Sequence, residues 1–276
     1  MKNLRYYWSS WGWLEKLIVF EIGFFLVGSF LSLIGVPFNL FFELSSELSS
    51  WLIMPWSLLT YSLVHADLWH LVFNMLWLFM ASQLFLSLFD SARLFTVYLL
   101  GVFFAGISFI LTYAISGTQG VLVGSSAGVM AVLIFMATYT PNQPIRVLFF
   151  TIKLWHLGAL FVLIDLLQLS GGSNFGGRIA HLVGAAIGYF MASQLLKGVE
   201  IAEFMQTSIR GFMQGGFPTF FKTGRKPSSS SRRKSQSNSN RSEQEQIDRI
   251  LDKISASGYD SLSADEKAFL FKKGQR

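Results

Sequence analysis

Most of the polar groups that could do chemistry fall in three short runs. The first holds His65, His70 and Asn74, the second is Gly124-Ser125-Ser126-Ala127-Gly128, and the third is centred on His181. A serine hydroxyl is a weak nucleophile until a base accepts its proton, and histidine is the usual base. Ser126, between Gly124 and Gly128, has neighbours small enough for a substrate backbone to come close and for the chain to turn tightly into a helix. Amide hydrolysis also needs donors for the developing oxyanion, each commonly worth about 3 kcal/mol. His70 and Asn74 are four apart, hence on one face of a helix, and either side chain can donate. The backbone N–H of Ser126 at a helix start adds another donor. Each feature has a plainer reading. G-x-S-x-G alone is a weak signal in a chain with 24 glycines. A lone histidine in a membrane helix more often packs or hydrogen-bonds, and His70 with Asn74 could equally be a polar seam between helices. His65 lies five before His70, off that face, and is expected to stabilise a loop. No metal site and no cofactor are expected: there is no H-E-x-x-H, and the histidines lack a carboxylate at ligand spacing.

The elements that must position these groups are membrane helices. The 276-residue chain is 52% hydrophobic and only 14% charged, where a soluble domain carries about 25%, so lipid is the expected solvent. It has no cysteine, which removes disulfides and thiolate metal sites. A span needs about 20 mostly apolar residues. Six stretches qualify or come close: 17–36, 68–88, 94–115, 126–140, 154–170 and 178–196. The N-terminus lacks the apolar run and cleavage site of a secretory signal, so the first span is expected to be retained. Lys2, Arg5 and Lys16 precede the first span, Arg93 lies between the second and third, Arg146 and Lys153 lie between the fourth and fifth, and Lys197 follows the sixth. The loops 37–67 and 116–125 contain no Lys or Arg, and 171–177 leads only to Arg178. By the positive-inside rule both termini are cytosolic, and the expected fold is an all-α polytopic membrane protein of six transmembrane helices. The net charge of +6 comes largely from the tail. It reads as topology or lipid contact rather than nucleic-acid binding.

In this topology spans two, four and six start at the same, extracytoplasmic, level, so the three polar runs converge on one layer. Intramembrane polar residues are costly and face the bundle interior, which makes such a layer a functional hypothesis. Between Ser126 and Pro141 lie 14 residues, a helix of about 21 Å against a hydrocarbon thickness of about 30 Å. Pro141 and Pro144 prevent extension on the cytosolic side. The loop 118–124 is therefore expected to dip inward and to leave Ser126 several Å below the outer surface, at the base of a wet pocket. Gly184 and Gly188 form a small stripe that lets another helix approach, with Ala127 and Gly128 as the expected matching surface. Facing surfaces there would bring Ser126 and His181 within hydrogen-bond reach. Glu21 is expected to snorkel from the cytosolic end of span one. Asp165 is expected deeper in span five as a paired or protonated structural carboxylate, and Asp67 is expected to cap the start of span two.

The run HADLWHLVFN (65–74), GSSA (124–127) and AHLVGAAIG (180–188) together resemble the three core motifs of rhomboid proteases, in the family's order on spans two, four and six. Jointly the motifs are highly specific, and the resemblance covers roughly 17–196. It implies a six-helix rhomboid-like bundle with a Ser126–His181 catalytic dyad and no acidic third member. It also implies an oxyanion hole from His70, Asn74 and the Ser126 N–H, with Gly124 as a backbone element beside the nucleophile. The implied activity is cleavage of single-span membrane proteins near their outer boundary. The chain departs from the pattern at Ser57, where many members have Arg after Trp56, at Ala127, where Gly often follows the nucleophile, and at Met130, where an aromatic commonly packs on the histidine.

The expected organisation is a cytosolic segment 1–16, the membrane domain 17–196, an interfacial and basic low-complexity linker 197–246 and a helical hairpin 247–276. In the hairpin Ile247, Ile250, Leu251 and Ile254 form a stripe, Gly258 stops it, and Ser263 with Glu266 makes a capping box. It resembles a short module appended to some bacterial rhomboids, and its partner is unknown. The expected protein is a multi-pass endopeptidase of the cell (inner) membrane, cleaving single-span proteins within the lipid bilayer. The alternatives are an inactive rhomboid-like protein that binds membrane clients, and a small transporter, which a cluster confined to one leaflet disfavours.

Overall fold

The computed structural model describes residues 10–147, 149–169, 174–215, 248–250, 252–254, 257–258 and 261–274. The chain falls into two compact units, Met1–Phe220 and Phe221–Arg276. The expected linker from residue 216 to 246, the first nine residues, Ile247 and Leu251 lie outside the described residues.

The first unit is built on α1 (Trp13–Leu33), short α2 (Leu48–Ile53) and α3 (Ser57–Thr60), α4 (Leu68–Leu86), α5 (Ser91–Ser116), α6 (Ser126–Tyr139), α7 (Leu154–Gln168), α8 (Phe175–Leu196) and α9 (Glu203–Met213). Among the described residues four helices, α1, α4, α5 and α8, are long and apolar enough to cross a membrane; α6 and α7 are apolar but shorter. Helix starts follow capping chemistry. The Asp67 carboxylate accepts from the His70 N–H at 2.9 Å to open α4, and Asp90 accepts from the Arg93 N–H at 2.9 Å to open α5. One expectation fails here. Helix α1 begins at Trp13, four residues earlier than expected, so Glu21 lies about one turn deeper in it. Glu21 is buried and accepts a 3.2 Å hydrogen bond from the Tyr98 hydroxyl, so it faces the bundle and does not snorkel.

Helix α6 is the axis of the unit. Every residue from Ala127 to Ala137 is buried, whereas α1 buries only Leu14, Glu21 and Gly28. Lipid tails are as apolar as leucine, so membrane helices associate through close packing rather than the hydrophobic effect. At one end of α6 the packing is aromatic: Phe135 lies 5.0 Å from Phe85 and Tyr139 lies 5.0 Å from Phe89, ring to ring. At the other end it is small. A Cβ on Gly184 would come within 2.2 Å of the Ala127 carbonyl oxygen, and one on Gly188 within 2.1 Å of that of Ala131. The surface facing the glycine stripe is thus Ala127 and Ala131. Gly128 turns instead to α5, where a Cβ would meet the Tyr98 ring at 2.5 Å.

The segment before Ser126 is tied to the loop after α1. Strand β1 (Leu44–Ser45) pairs antiparallel with β2 (Val121–Leu122), Leu44 opposite Leu122, and both leucines are buried. The Gly124 N–H donates to the Tyr61 carbonyl at 3.0 Å, and the Tyr61 hydroxyl donates to the Val102 carbonyl on α5 at 2.8 Å. Between α6 and α7 the chain makes a hairpin of β3 (Pro144–Val147) and β4 (Phe150–Lys153), not foreseen from the sequence. Arg93 pairs with Glu200 and Arg210 with Asp90, tying the neighbourhood of α9 to the start of α5.

In the second unit, 248–250 and 252–254 are helical, Gly258 has φ +79° with its N–H donating to the Ile254 carbonyl at 2.8 Å, and α10 spans Ala264–Gly274. The capping box forms: the Glu266 N–H donates to the Ser263 hydroxyl at 3.2 Å, and the Ser263 N–H to the Glu266 carboxylate at 2.8 Å. That Ser263 N–H, with help from Lys253, holds the Glu266 carboxyl below its ordinary value.

Candidate active site

Ser126 is the first residue of α6 and His181 lies in the second turn of α8. Gly184, three residues beyond His181, rides on Ala127, the neighbour of Ser126. This close helix crossing brings the Ser126 hydroxyl oxygen to 2.7 Å from His181 Nε2. The protons can be assigned from the partners. On the other side of the ring, Nδ1 lies 3.1 and 3.2 Å from the two carboxylate oxygens of Asp165 on α7. An ionised carboxylate only accepts, so Nδ1 carries the hydrogen, Nε2 is the free acceptor, and the serine hydroxyl donates to it.

The donors lie opposite. The Ala66 N–H donates to His70 Nδ1 at 3.4 Å, which leaves the hydrogen of a neutral ring on Nε2. That edge of the ring lies against Gly124: a Cβ there would be 2.7 Å from His70 Nε2 and 3.7 Å from the Ser126 hydroxyl. Gly124 also has φ +109°, which side-chain-bearing residues avoid, so both backbone and space require glycine. Asn74 is buried one turn after His70, and its Nδ2 donates to the His70 carbonyl at 2.8 Å. That acceptor fixes the amide orientation and leaves Nδ2 a second hydrogen. His70, Asn74, Ser126, Met130, Asp165 and His181 line a cavity of about 720 Å³ whose other walls are Gln168 and apolar side chains of α4, α6 and α7, among them Phe73, Trp77 and Phe161. A second cavity of about 390 Å³ also reaches Ser126, His70 and His181, and Arg178 lies on its wall.

Five of the sequence-derived site residues, Ser126, His181, His70, Asn74 and Gly124, therefore converge. The others lie behind them. His65 is buried in the loop before α4, its Nε2 3.3 Å from the Ser125 hydroxyl and 3.8 Å from the Glu21 carboxylate. Gly128, Gly184 and Gly188 pack helices. Ser57 is buried at the start of α3 with its hydroxyl unpartnered, while the Trp56 indole donates to the Phe41 carbonyl at 2.7 Å. Two residues at the centre were not anticipated there, Asp165 and Arg178. Helix α7 runs opposite in direction to α6 and α8, so its C-terminal end meets their N-terminal ends, and Asp165 is three residues from that end. Applying to span five the direction argument used for spans two, four and six would have placed Asp165 in the same layer.

Fold and composition define the class first: a multi-pass membrane protein of apolar helices, carrying a serine–histidine pair in a helix-lined recess. The Rhomboid domain matches residues 53–198, more than half of the chain, and the chain belongs to the rhomboid family. The family consists generally of intramembrane serine proteases and includes inactive members. A family of unknown function, DUF6576, matches residues 235–272. No curated protein matches the chain.

Proposed function

We propose that this chain is an intramembrane serine endopeptidase that hydrolyses peptide bonds of single-span membrane proteins near the extracytoplasmic face of the bilayer. The observation that carries the reading is the 2.7 Å approach of the Ser126 hydroxyl to His181 Nε2 at the edge of a recess of about 720 Å³. In the first half-reaction the Ser126 oxygen attacks the scissile carbonyl carbon while its proton passes to His181 Nε2. The oxyanion meets donors from His70 Nε2, Asn74 Nδ2 and the first-turn N–H of Ser126. Collapse breaks the C–N bond, His181 returns the proton to the departing amine, and an acyl-enzyme remains. Water, deprotonated by the same imidazole, then attacks the ester and regenerates Ser126.

The membrane setting follows from the same elements. We place α1, α4, α5, α6, α7 and α8 as six spans with both termini cytosolic, in the cell (inner) membrane. Helix α6 can be short because protein surrounds it, and irregular backbone at membrane depth is tolerated when buried in protein or beside a wet cavity. That arrangement puts Ser126 several Å below the outer surface. The apolar walls suit an apolar substrate segment, and both cavities reach Ser126. We assign the C-terminal unit to docking.

The direct test uses purified protein in detergent. A serine-directed phosphonate is expected to label Ser126 and not the Ser126→Ala protein, and a single-span model substrate is expected to be cut. A wild-type protein that neither labels nor cuts would make this an inactive binder of membrane clients. A second expectation concerns Gly124→Ala. The added methyl lands 2.6 Å from the His70 ring on a backbone that disfavours it, so His70 must move off the oxyanion position. Displacements of about 1 Å cost on the order of 10²-fold, so kcat should fall by about that factor with KM little changed.

A further inference from the structure

We infer that Asp165 is a positioning residue for His181, holding the imidazole in the tautomer and orientation in which Nε2 faces Ser126. The inference rests on the reading of Ser126 and His181 as nucleophile and base, and it adds an acidic third member where the family resemblance implies none. Three observations converge on it. Both carboxylate oxygens of Asp165 sit at hydrogen-bond distance from Nδ1, at 3.1 and 3.2 Å, on the side of the ring opposite the 2.7 Å contact to Ser126. Asp165 is 5% exposed on an apolar helix, where an unpaired carboxylate is costly, and among the described residues it pairs with His181 and Arg178. The residue one turn after the nucleophile is Met130, a flexible side chain that lines the recess and offers the ring no flat surface to stack on. A hydrogen bond from Nδ1 therefore replaces stacking as the constraint on ring rotation.

The chemistry follows without moving a second proton. When Ser126 attacks, its proton goes to His181 Nε2 and the Nδ1 hydrogen stays where it is. The ring becomes an imidazolium between Ser126 and a carboxylate that remains ionised. Asp165 thus stabilises the charge that develops and prevents the ring from presenting an N–H to the nucleophile. Arg178 acts in the opposite sense. Its Nη1 is 3.3 Å from the same Asp165 oxygen that faces Nδ1, so it competes with the imidazole for that oxygen, and its charge opposes a positive His181. Among the described residues, the charged and titratable groups facing His181 are Asp165 from α7, Arg178 from its own helix and His70 from α4.

A purely structural carboxylate, one that only pairs with Arg178, would make a different set of predictions. The experiment compares wild type, Asp165→Asn, Asp165→Glu and Arg178→Gln in detergent on one single-span substrate, recording kcat, KM and the unfolding temperature. Asp165→Asn should lower kcat by on the order of 10²- to 10⁴-fold with KM nearly unchanged. Asp165→Glu should recover part of the rate, and Arg178→Gln, which leaves Nδ1 its partner, should lower kcat far less than Asp165→Asn. A loss confined to kcat and partly rescued by glutamate supports the inference even if one variant is less stable. A kcat for Asp165→Asn equal to wild type, or a loss no greater than that of Arg178→Gln, overturns it while leaving Ser126 and His181 in place. A wild-type protein that neither cuts nor labels overturns the enzyme reading, and this inference with it.

Discussion

Ser126→Ala is expected to lose substrate cleavage by on the order of 10⁴-fold or more, His181→Ala by a similar factor, and the double variant by no more than either alone. The argument is that the two groups act as one unit. Without Ser126 there is no oxygen to attack, and the imidazole can at best position a water that the recess was not shaped to aim. Without His181 the hydroxyl must attack while holding its proton, and the departing amine has no acid. Removing the second partner after the first therefore removes nothing further. What remains in either variant is whatever binding and the donors His70, Asn74 and the Ser126 N–H contribute by holding a scissile carbonyl in place. Single-turnover assays with a large excess of variant over substrate measure the residue of activity. Full cutting by Ser126→Ala would end the proposal. Losses that multiply would assign the two groups to separate steps. Neither variant should unfold the protein, because each truncation removes side-chain atoms facing a cavity rather than a packed core.

Much of this site is legible in the sequence because membranes restrict what a chain can do. Polar residues inside apolar stretches are few, and alternating helix direction assigns their ends to one side or the other. That reasoning brought His70, Asn74, Ser126 and His181 to one layer. The four-residue spacing of His70 and Asn74 and the run of small residues at 184 and 188 carried the remaining geometry. Two misreadings had physical causes. Hydropathy starts span one at residue 17, but Trp13 and Leu14 join the helix, so Glu21 lies about one turn deeper and faces the Tyr98 hydroxyl rather than the interface. The sequence offers both Ala127 and Gly128 as the surface for the glycine stripe, since both are small and close to Ser126. A helix advances about 100° per residue, so of two consecutive small residues only one can face α8. It is Ala127, followed four residues later by Ala131. The β1–β2 pair could not be read in advance, since strands of two residues have no periodicity to detect.

Gly184→Ala is expected to be the most damaging substitution among the residues that only pack helices together. A methyl at residue 184 would sit 2.2 Å from the carbonyl oxygen of Ala127 and 3.0 Å from its carbonyl carbon. These are backbone atoms of a helix buried throughout, so no side chain can swing aside to relieve the clash. Normal carbon–oxygen contacts between helices lie at about 3.3–3.6 Å, so α8 must retreat from α6 by on the order of 1 Å. The retreat acts directly on the chemistry, because Gly184 lies one turn from His181 and Ala127 adjoins Ser126. Opening the 2.7 Å hydroxyl–imidazole contact by that much should lower kcat/KM on the order of 10²-fold. Overpacking should cost about 1–3 kcal/mol of stability besides. Gly23→Ala is the control: a Cβ there meets nothing within 4 Å, and alanine favours the helix, so activity and unfolding temperature should hold or rise. A Gly184→Ala protein as active and as stable as the Gly23→Ala protein would show that α6 and α8 are not in backbone contact, and the basis for joining Ser126 to His181 would be lost.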